Sequence, residues 1–596
     1  MKFDFTSYNS IFTADFETST EAWGVDKARV WLWDICDSKF NHYNGETIDE
    51  FMNFVIKRAC NQIYGFRNLA YDGIYILSWL LENGYVVTTK KQEQMKVKSF
   101  YCVISDIGQH YAYSVKCPNG SFITFTDTLK YVNMSIERSA ECYKLPVLKG
   151  KIDYDKVREI GHIPTLEELN YIHNDTEIDM WTIKLNMEVG AVKFTQAGNA
   201  RYEFKKLFDS GTWDMLFPEI DNQLDSAMRK AYLGGYVMVN EKYKNKYIRN
   251  VMSFDINSMY PAQMLHRPMP YGYPECFCGK YVYNEKFPIY IQRFRCMFQL
   301  KPNGIPTVTN RKRLAIHDNA YMTSSGCEQI ELTMASPDFE LFLANYNVWC
   351  MEYIDGFMFQ AMQGRELTPE EVSNMSKDEC IEEDGKGSYF YEYIKKWRYK
   401  KEYEPIGSAL RDYAKRMQNA LYGAMATNPV KKSAVPYLDN GVIKYHTVDG
   451  GSGKGYYLPA SIFITAWSRY FLITNIMKYR DIFIYCDTDS LYLKTLKQPA
   501  DMPIHKSLYG FFKLEHKITL YKVIGCKRYV YWGREPKDKH DSFSVVCCGA
   551  DTPIKQQINY TNFIAGRVIS GKKGCKNVVG GKHIVITTYK LGKGAG

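Results

Sequence analysis

Apolar runs end at acidic residues in three places along this chain. Ile482, Phe483, Ile484 and Tyr485 read as a buried strand, and Leu491 and Tyr492 begin a second, so residues 481–496 predict a hairpin whose turn carries Asp487 and Asp489. Upstream, residues 251–254 predict an apolar strand that ends at Asp255 before the chain turns toward Pro261. Near the start, residues 11–20 predict a strand with Asp15 and Glu17 two apart, and therefore on one face. Between the second and third acidic sites in chain order, residues 410–425 fit a helix. Leu410, Ala414, Met417 and Leu421 form an apolar stripe; Arg411, Lys415, Asn419 and Tyr422, at i, i+4, i+8 and i+11, form a polar one. Tyr171 and Asp175, four apart, share a helix face. The turn-rich string "LDNGV" at 438–442 predicts a local β-hairpin.

Strand-like and helix-like segments alternate throughout, which predicts a mixed α and β architecture without solenoid repeats. With 596 residues the chain is too long for one core and should divide into several domains. Soft boundaries fall at 190–199 and at the turns of 268–273. Residues 365–388 are acidic in an otherwise basic chain and read as a solvated loop or surface helix. The net charge of +10 favours a polyanionic partner without requiring one. The 16 cysteines include no C-x-x-C pair; the close sets Cys276/Cys278 and Cys547/Cys548 lack zinc-ligand spacing, so they read as reduced thiols used as small hydrophobes. The first residues hold no apolar signal-peptide core, and no stretch is apolar enough to span a membrane.

Each acidic feature has an ordinary explanation alone. Asp487 and Asp489 suit turn dihedrals, and Asp255 suits a helix cap. Like charges held this close nevertheless repel, and Mg²⁺ relieves that repulsion with hard oxygen ligands. Carboxylates from two strands around two such ions suit in-line phosphoryl displacement. The cations of the 410–425 helix would hold a triphosphate, and Tyr422 would pack on a base. At the N-terminus, Asp15, Glu17, Asp72 in "NLAYDG" and Asp175 in "YIHNDTEID" make a second four-carboxylate set able to hydrolyse a phosphodiester, with Tyr171 orienting water.

The strings "DINSMYP", "KRMQNALYG" and "YCDTDS", in that order, resemble motifs A, B and C of family B DNA polymerases. "DFET", "NLAYDG" and "YIHND" resemble the three motifs of their 3′–5′ proofreading exonuclease, built on a ribonuclease H-like fold. The resemblance runs from about residue 10 to about 590 and is closest to the protein-primed, strand-displacing replicases of bacteriophages. It implies two Mg²⁺ ions per active site, with Mn²⁺ as a substitute, and dNTP substrates. Asp255, the adjacent Ile256 and Asp487 would be metal-ligating positions, with Asp489 in support; Asp15, Glu17, Asp72 and Asp175 would ligate metal in the exonuclease, with Lys149 as its catalytic lysine. Tyr260, Arg411, Lys415, Asn419 and Tyr422 would contact the dNTP. Thr18, Asn68, Tyr71, Thr128 and Leu129 would grip a frayed 3′ end. Tyr232, Gly234 and Gly235 of "AYLGGY", Thr465 and Arg469 of "FITAWSRY", and Lys527 and Tyr529 of "CKRYVY" would touch DNA. The family pattern is broken at Leu233, where Arg is usual, and at Ala420, where Ser is usual; Lys400 and Lys401 both remain candidates for a second fingers lysine. From 505 to 540, nine Lys/Arg face three Asp/Glu among aromatics, a stripe suited to a phosphate backbone.

The implied fold is a multidomain α/β and α+β chain: a ribonuclease H-like exonuclease at 1–195, then a right-hand polymerase. Its parts would be palm at 196–266 and 458–548, a terminal-protein-binding insertion at 267–364, fingers at 365–427, a strand-displacing β-hairpin insertion at 428–457 and a thumb at 549–596. The implied partners are primer-template and single-stranded DNA and a terminal protein as primer, with no membrane; a monomer in the cytoplasm of an infected bacterial host is expected. An RNA-primed family B polymerase, a stand-alone exonuclease with a nucleic-acid-binding domain and a catalytically silent binding protein are the alternatives.

Overall fold

The computed structural model describes residues 4–89, 94–310, 321–453 and 455–592. Its N-terminal part is an eight-stranded mixed sheet. From edge to edge the strands are His42–Gly45, Val30–Asp37, Ser10–Thr18, Gln62–Phe66, Phe122–Asp127, His110–Lys116, Ser99–Ile104 and Val86–Val87. Ser10–Thr18 pairs antiparallel with Val30–Asp37 and parallel with Gln62–Phe66. Helix Leu166–Glu188 packs on one face of Ser10–Thr18 and Val30–Asp37. Phe16, Phe66, Ile74, Tyr75 and Leu77 join the core on the other. Helix Leu166–Glu188 starts at a Thr165/Glu168 capping box, which satisfies its first free N–H groups.

A second sheet of seven antiparallel strands is assembled from distant parts of the chain. Its order is Ser542–Cys547, Arg528–Arg534, Phe512–Gly525, Tyr247–Ile256, Ser490–Lys494, Phe483–Asp487 and Val237–Val239. Met252, Phe254, Leu491 and Leu493 share a core with Leu472, Ile473 and Ile476 of the apolar helix Leu458–Lys478. The period-2 alternation of the strands places Tyr485, Tyr492 and Tyr521 in the core on the other face, where Tyr492 stacks on Tyr521 and Tyr529 meets all three rings at tilted angles. A separate four-stranded sheet, Met269–Cys278, Tyr346–Met362, Ile289–Leu300 and Ile330–Ala335, occupies most of the expected 267–364 insertion; residues 311–320 of that span lie outside the described residues.

The amphipathic reading of the 410–425 helix matches its burial. Ala409–Met425 buries Ala414, Met417 and Leu421, exposes Lys415 and Asn419, and packs against Gln196–Lys205 and Tyr391–Tyr403. The "LDNGV" turn joins Val430–Asp439 to Val442–Ser452, with Asn440 and Gly441 both at positive φ, 50° and 79°. These are the dihedrals a type I′ hairpin turn demands. That hairpin leans on the N-terminal sheet, where Ala434 and Ile443 enter its core, and its tip bridges the C-terminal hairpin through Val442 and Val579. The C-terminal hairpin, Val568–Val578 with Gly581–Lys590, returns to the N-terminal part: the Ala28 N–H donates to the Val579 carbonyl and Lys582 Nζ to the Ala70 carbonyl. The chain thus closes a ring of contacts between its two ends.

The acidic 365–388 segment forms two short surface helices, Pro369–Ser373 and Lys377–Glu383, each with a capping box. Asp384 departs from the solvated reading. It is 3% exposed, accepts from His266 Nε2 at 2.8 Å and from Arg398 Nη1 at 2.6 Å, and so ties the acidic segment to the flanking helices. Burial alone would raise its pKa; the His266 hydrogen bond and the Arg398 charge hold it below the usual carboxylate value. Asp384→Ala leaves the Arg398 guanidinium buried and unpaired, at a local cost of about 3 kcal/mol. The expected result is loss of amide hydrogen-exchange protection across 365–400 while the N-terminal sheet stays protected.

Two candidate active sites

The first site is built by strand register. Asp255, at the end of Tyr247–Ile256, lies opposite Ser490, and Ser490 lies opposite Asp487 on the far side. Three adjacent strands therefore bring an acid from position 255 alongside the 487–489 turn, at the spacing of neighbouring strands, about 5 Å per step. The Ile256 N–H donates to the Asp489 carbonyl at 2.7 Å. The Ile256 side chain is in the core, so only its backbone could meet a metal.

The turn itself is strained. Thr488 has φ +58°, uncommon for a β-branched residue, and the Asp489 N–H closes on the Asp487 carbonyl at 2.6 Å. Ser258 and Lys527 beside it are also in the left-handed region, at +47° and +54°. Clustered strain of this kind marks sites held in place by their surroundings. The support for Thr488 comes from "AYLGGY": its N–H donates to the Tyr236 carbonyl at 2.8 Å, and a Cβ on Gly235 would stand 2.7 Å from its side chain.

Electrostatics divide the three acids differently from the motif-based expectation. Burial and then the Asp489 charge push Asp255 up to about 7, and Asp489 is itself raised by burial and by Asp487 and Glu515. Asp487 is instead bound by Lys527 Nζ, at 2.6 and 2.7 Å to its two oxygens. Asp489 is thus the carboxylate whose charge bears most on Asp255, and Asp487 is the one paired with a lysine. Around this centre, Tyr260 and Tyr422 stack at 4.0 Å, and Lys401 Nζ reaches Ser258 Oγ at 3.2 Å. Lys401 therefore lies at the site, while Lys400 sits over Trp397.

Several other expected contacts are redirected. Arg411 spends its guanidinium on the carbonyls of Lys401 and Glu404, which locks two helices together and leaves Lys415 and Asn419 as the exposed polar pair. Thr465 is fully buried, with its hydroxyl bonded to the carbonyls of Ser461 and Ile462 in its own helix. Arg469 is 5% exposed; it forks onto Asp338 and donates at 2.7 Å to the carbonyls of Leu233 and Gly234, so it positions that loop from beneath. Tyr232 is half-buried and Gly234 is exposed. Tyr529 bonds Tyr492 hydroxyl to hydroxyl at 3.0 Å. Lys513 and Glu515 act on Asp255, but only the pairing of Phe512–Gly525 with Tyr247–Ile256 brings them there.

The second site lies in the N-terminal part. Asp15, Glu17, Asp72, Lys149, Tyr171 and Asp175 line one pocket of about 400 Å³ with Thr18, Asn68 and Tyr71. Burial and then the Asp175 charge raise Asp15 to about 8; burial and the neighbouring acids also raise Glu17 and Asp72. Burial raises Asp175 as well, although Lys149 is ion-paired with it. One oxygen of Asp175 is buried without a hydrogen-bond partner. Tyr154, missed in the sequence, bonds the Tyr171 hydroxyl at 2.6 Å, and Lys573 and Cys575 of the C-terminal hairpin close the pocket. Thr18 bonds Tyr71 hydroxyl to hydroxyl at 2.7 Å. Thr128 is buried and donates to the Phe66 carbonyl and to Asp179, which braces the site; Leu129 stays half-exposed. Crowded, raised carboxylates fit divalent cations in both places, and in the N-terminal pocket the orphan Asp175 oxygen adds to that fit.

A larger cavity, about 1360 Å³, runs between the N-terminal sheet, helix Gln196–Lys205 and the 430–452 hairpin, with Lys193, Arg201, Lys205, Lys206, Lys431 and Lys432 on its walls.

A family model described as DNA polymerase type B, organellar and viral, matches residues 162–365 and 379–505. The chain belongs to this family. It is 33% identical to the DNA polymerases of Bacillus phage M2 and Bacillus phage phi29, over 98% of this chain and 99% of each relative. It is 28% identical to that of Streptococcus phage Cp-1, over 97% of this chain and 98% of the relative. The fold is similar to phi29 DNA polymerase complexed with primer-template DNA, with a TM-score of 0.87 and 31% identity over 98% of this chain and all of that one. The ternary complex of phi29 DNA polymerase with primer-template DNA and incoming nucleotide substrates gives 0.86. The protein is a template-directed DNA polymerase, of a family in which a 3′–5′ exonuclease is typical and which works with divalent metal and dNTPs. Among the described residues no helix is long and apolar enough to cross a membrane.

Gly235→Ala should displace the Thr488 turn and slow primer extension by about 100-fold, the scale expected of a small misplacement, while single-strand degradation is unchanged; single-turnover assays separate the two. The raised carboxylates also set a pH dependence. Asp15 and Asp255 bind protons more tightly folded than unfolded, so their contribution to stability is present at low pH and is lost as pH rises through about 7 to 8. In EDTA the melting temperature should fall between pH 6 and 8.5, and Asp15→Asn should flatten that fall.

Proposed function

We propose that Asp255 and Asp489 are the principal metal ligands of the polymerase, with two Mg²⁺ ions per site and Mn²⁺ as a substitute. The reading is supported by the Asp489 charge, which raises Asp255, and by Lys527 Nζ, which pairs with both oxygens of Asp487. When bound, the ions would activate the attacking oxygen and neutralise the leaving pyrophosphate. The chain's own groups do the positioning. Lys415 and Lys401 meet the triphosphate, Asn419 borders it, Tyr260 lies against the sugar and disfavours a 2′-hydroxyl, and Tyr422 packs on the nascent pair. The primer 3′-hydroxyl, steered by Lys527 and Tyr529, then attacks the α-phosphate in line.

The N-terminal pocket is proposed as the proofreading exonuclease. Asp15, Glu17, Asp72 and Asp175 would hold its metals, Tyr171 would orient water, Lys149 would steady phosphate charge, and Thr18, Asn68, Tyr71 and Leu129 would hold a frayed end, with Tyr71 available for base stacking. The two sheets are read as exonuclease at 1–195 and palm at 196–266 and 458–548. The four-stranded sheet of 267–364 is read as the surface for a terminal protein, 365–427 as fingers, and 549–596 as thumb. The basic cavity beside the 428–457 hairpin would pass one template strand and exclude its complement, which supports strand displacement. Protein-primed initiation rests on the resemblance to phage polymerases and on that inserted sheet. A monomer acting in the host cytoplasm completes the reading.

A primed single-stranded circle in Mg²⁺ tests both centres. The primer should grow with dNTPs and shorten without them. Asp489→Ala should cut extension by more than about 1,000-fold and leave shortening intact; Asp15→Ala with Asp175→Ala should do the reverse. Normal extension by Asp489→Ala would refute the assignment.

A further inference from the structure

One cluster in the N-terminal part belongs to neither carboxylate centre. Asp34 lies on Val30–Asp37, directly opposite Asp15 in the pairing register, yet it faces a different set of neighbours. Its side chain is fully buried. One oxygen accepts from the Thr176 hydroxyl and lies 2.8 Å from His42 Nδ1. The other has no hydrogen-bond partner and points at His173 Nε2, 3.5 Å away. His42 sits on the edge strand His42–Gly45 and His173 on helix Leu166–Glu188, and their rings stack at 4.3 Å. The three candidate ligand atoms all lie within 4.8 Å of one another.

We propose that Asp34, His42 and His173 form a structural transition-metal site, of the kind that takes Zn²⁺. Tetrahedral ligands at ordinary Zn–N and Zn–O lengths stand about 3.4 Å apart; the His173–Asp34 separation of 3.5 Å matches that spacing, and the 2.8 Å His42–Asp34 contact is a hydrogen bond that would open by about half an ångström when a metal bond replaces it. Two imidazoles and one carboxylate select Zn²⁺ or its neighbours over Mg²⁺, which wants oxygen ligands throughout. The surroundings have the form of an outer shell. Glu177 Oε2 stands 4.0 Å from His42 Nε2, the ring nitrogen left over when Nδ1 binds metal, and the Thr176 hydroxyl fixes the carboxylate. Asn44 Nδ2 lies 3.4 Å from His173 Nε2, a long contact that a metal bond would replace. Both histidines are partly exposed, at 17% and 25%, which gives an ion a way in to the buried oxygen. The ion would staple helix Leu166–Glu188 to the sheet edge. The same helix carries Tyr171 and Asp175, so the staple would hold the exonuclease acids in register without touching substrate.

The full-length protein, stripped with EDTA and returned to excess Mg²⁺ to fill the carboxylate centres, should take up one equivalent of Co²⁺ with visible d–d absorption, and ZnCl₂ should bleach it. His42→Gln and His173→Gln should each weaken that uptake by about 100-fold or more, while Asp15→Asn with Asp255→Asn keeps it. Primer extension in Mg²⁺ should be the same for His42→Gln as for the unmodified chain. X-ray absorption on the Zn²⁺-loaded wild type reads the ligands directly and does not depend on whether the glutamine variants fold. A shell with two imidazole nitrogens supports the site. An all-oxygen shell, no Co²⁺ band, or a band that survives in folded glutamine variants overturns it.

Discussion

Like charge crowded into low-dielectric space is the constraint on which this molecule turns. Both centres hold several carboxylates close enough to raise one another's pKa, and protein cations answer only some of them: Lys527 on Asp487, Lys149 on Asp175. Such sets are unfavourable unless backbone geometry forces them together and a divalent ion repays the cost. The forcing is done by regular sheets. In the seven-stranded sheet the register Asp255–Ser490–Asp487 leaves no freedom along the strands, and the left-handed Thr488 is pinned by Gly235 and Tyr236.

The second feature is closure. The C-terminal hairpin returns to the N-terminal part through Val579 and Lys582, and the 430–452 hairpin touches both. Lys573 and Cys575 then line the pocket of the N-terminal acids. The large cavity beside this ring has basic walls drawn from several parts of the chain, among them Lys193, Arg201, Lys205 and Lys431.

Four residues expected at the substrate share one feature. Thr465, Arg469, Thr128 and Arg411 were assigned substrate contacts by motif, yet each is satisfied by the protein itself. A motif preserves a residue type; it does not say whether a hydroxyl or guanidinium faces outward or braces the wall behind. Arg469 is the clearest case, because it holds the Leu233–Gly234 loop from beneath while its motif placed it on the DNA.

By itself the sequence determined the local elements and the chemistry they carry. Alternation placed Asp15 with Glu17, helical spacing placed Lys415 with Asn419, and "LDNGV" set a tight hairpin, since these depend on neighbours a few residues away. Tertiary structure alone decided which acids meet. That Asp489 rather than Asp487 bears on Asp255, that Lys401 rather than Lys400 reaches the site, and that Asp34 gathers two histidines all depend on strand register and helix rotation. Those are set by packing between segments hundreds of residues apart, and no local pattern encodes them.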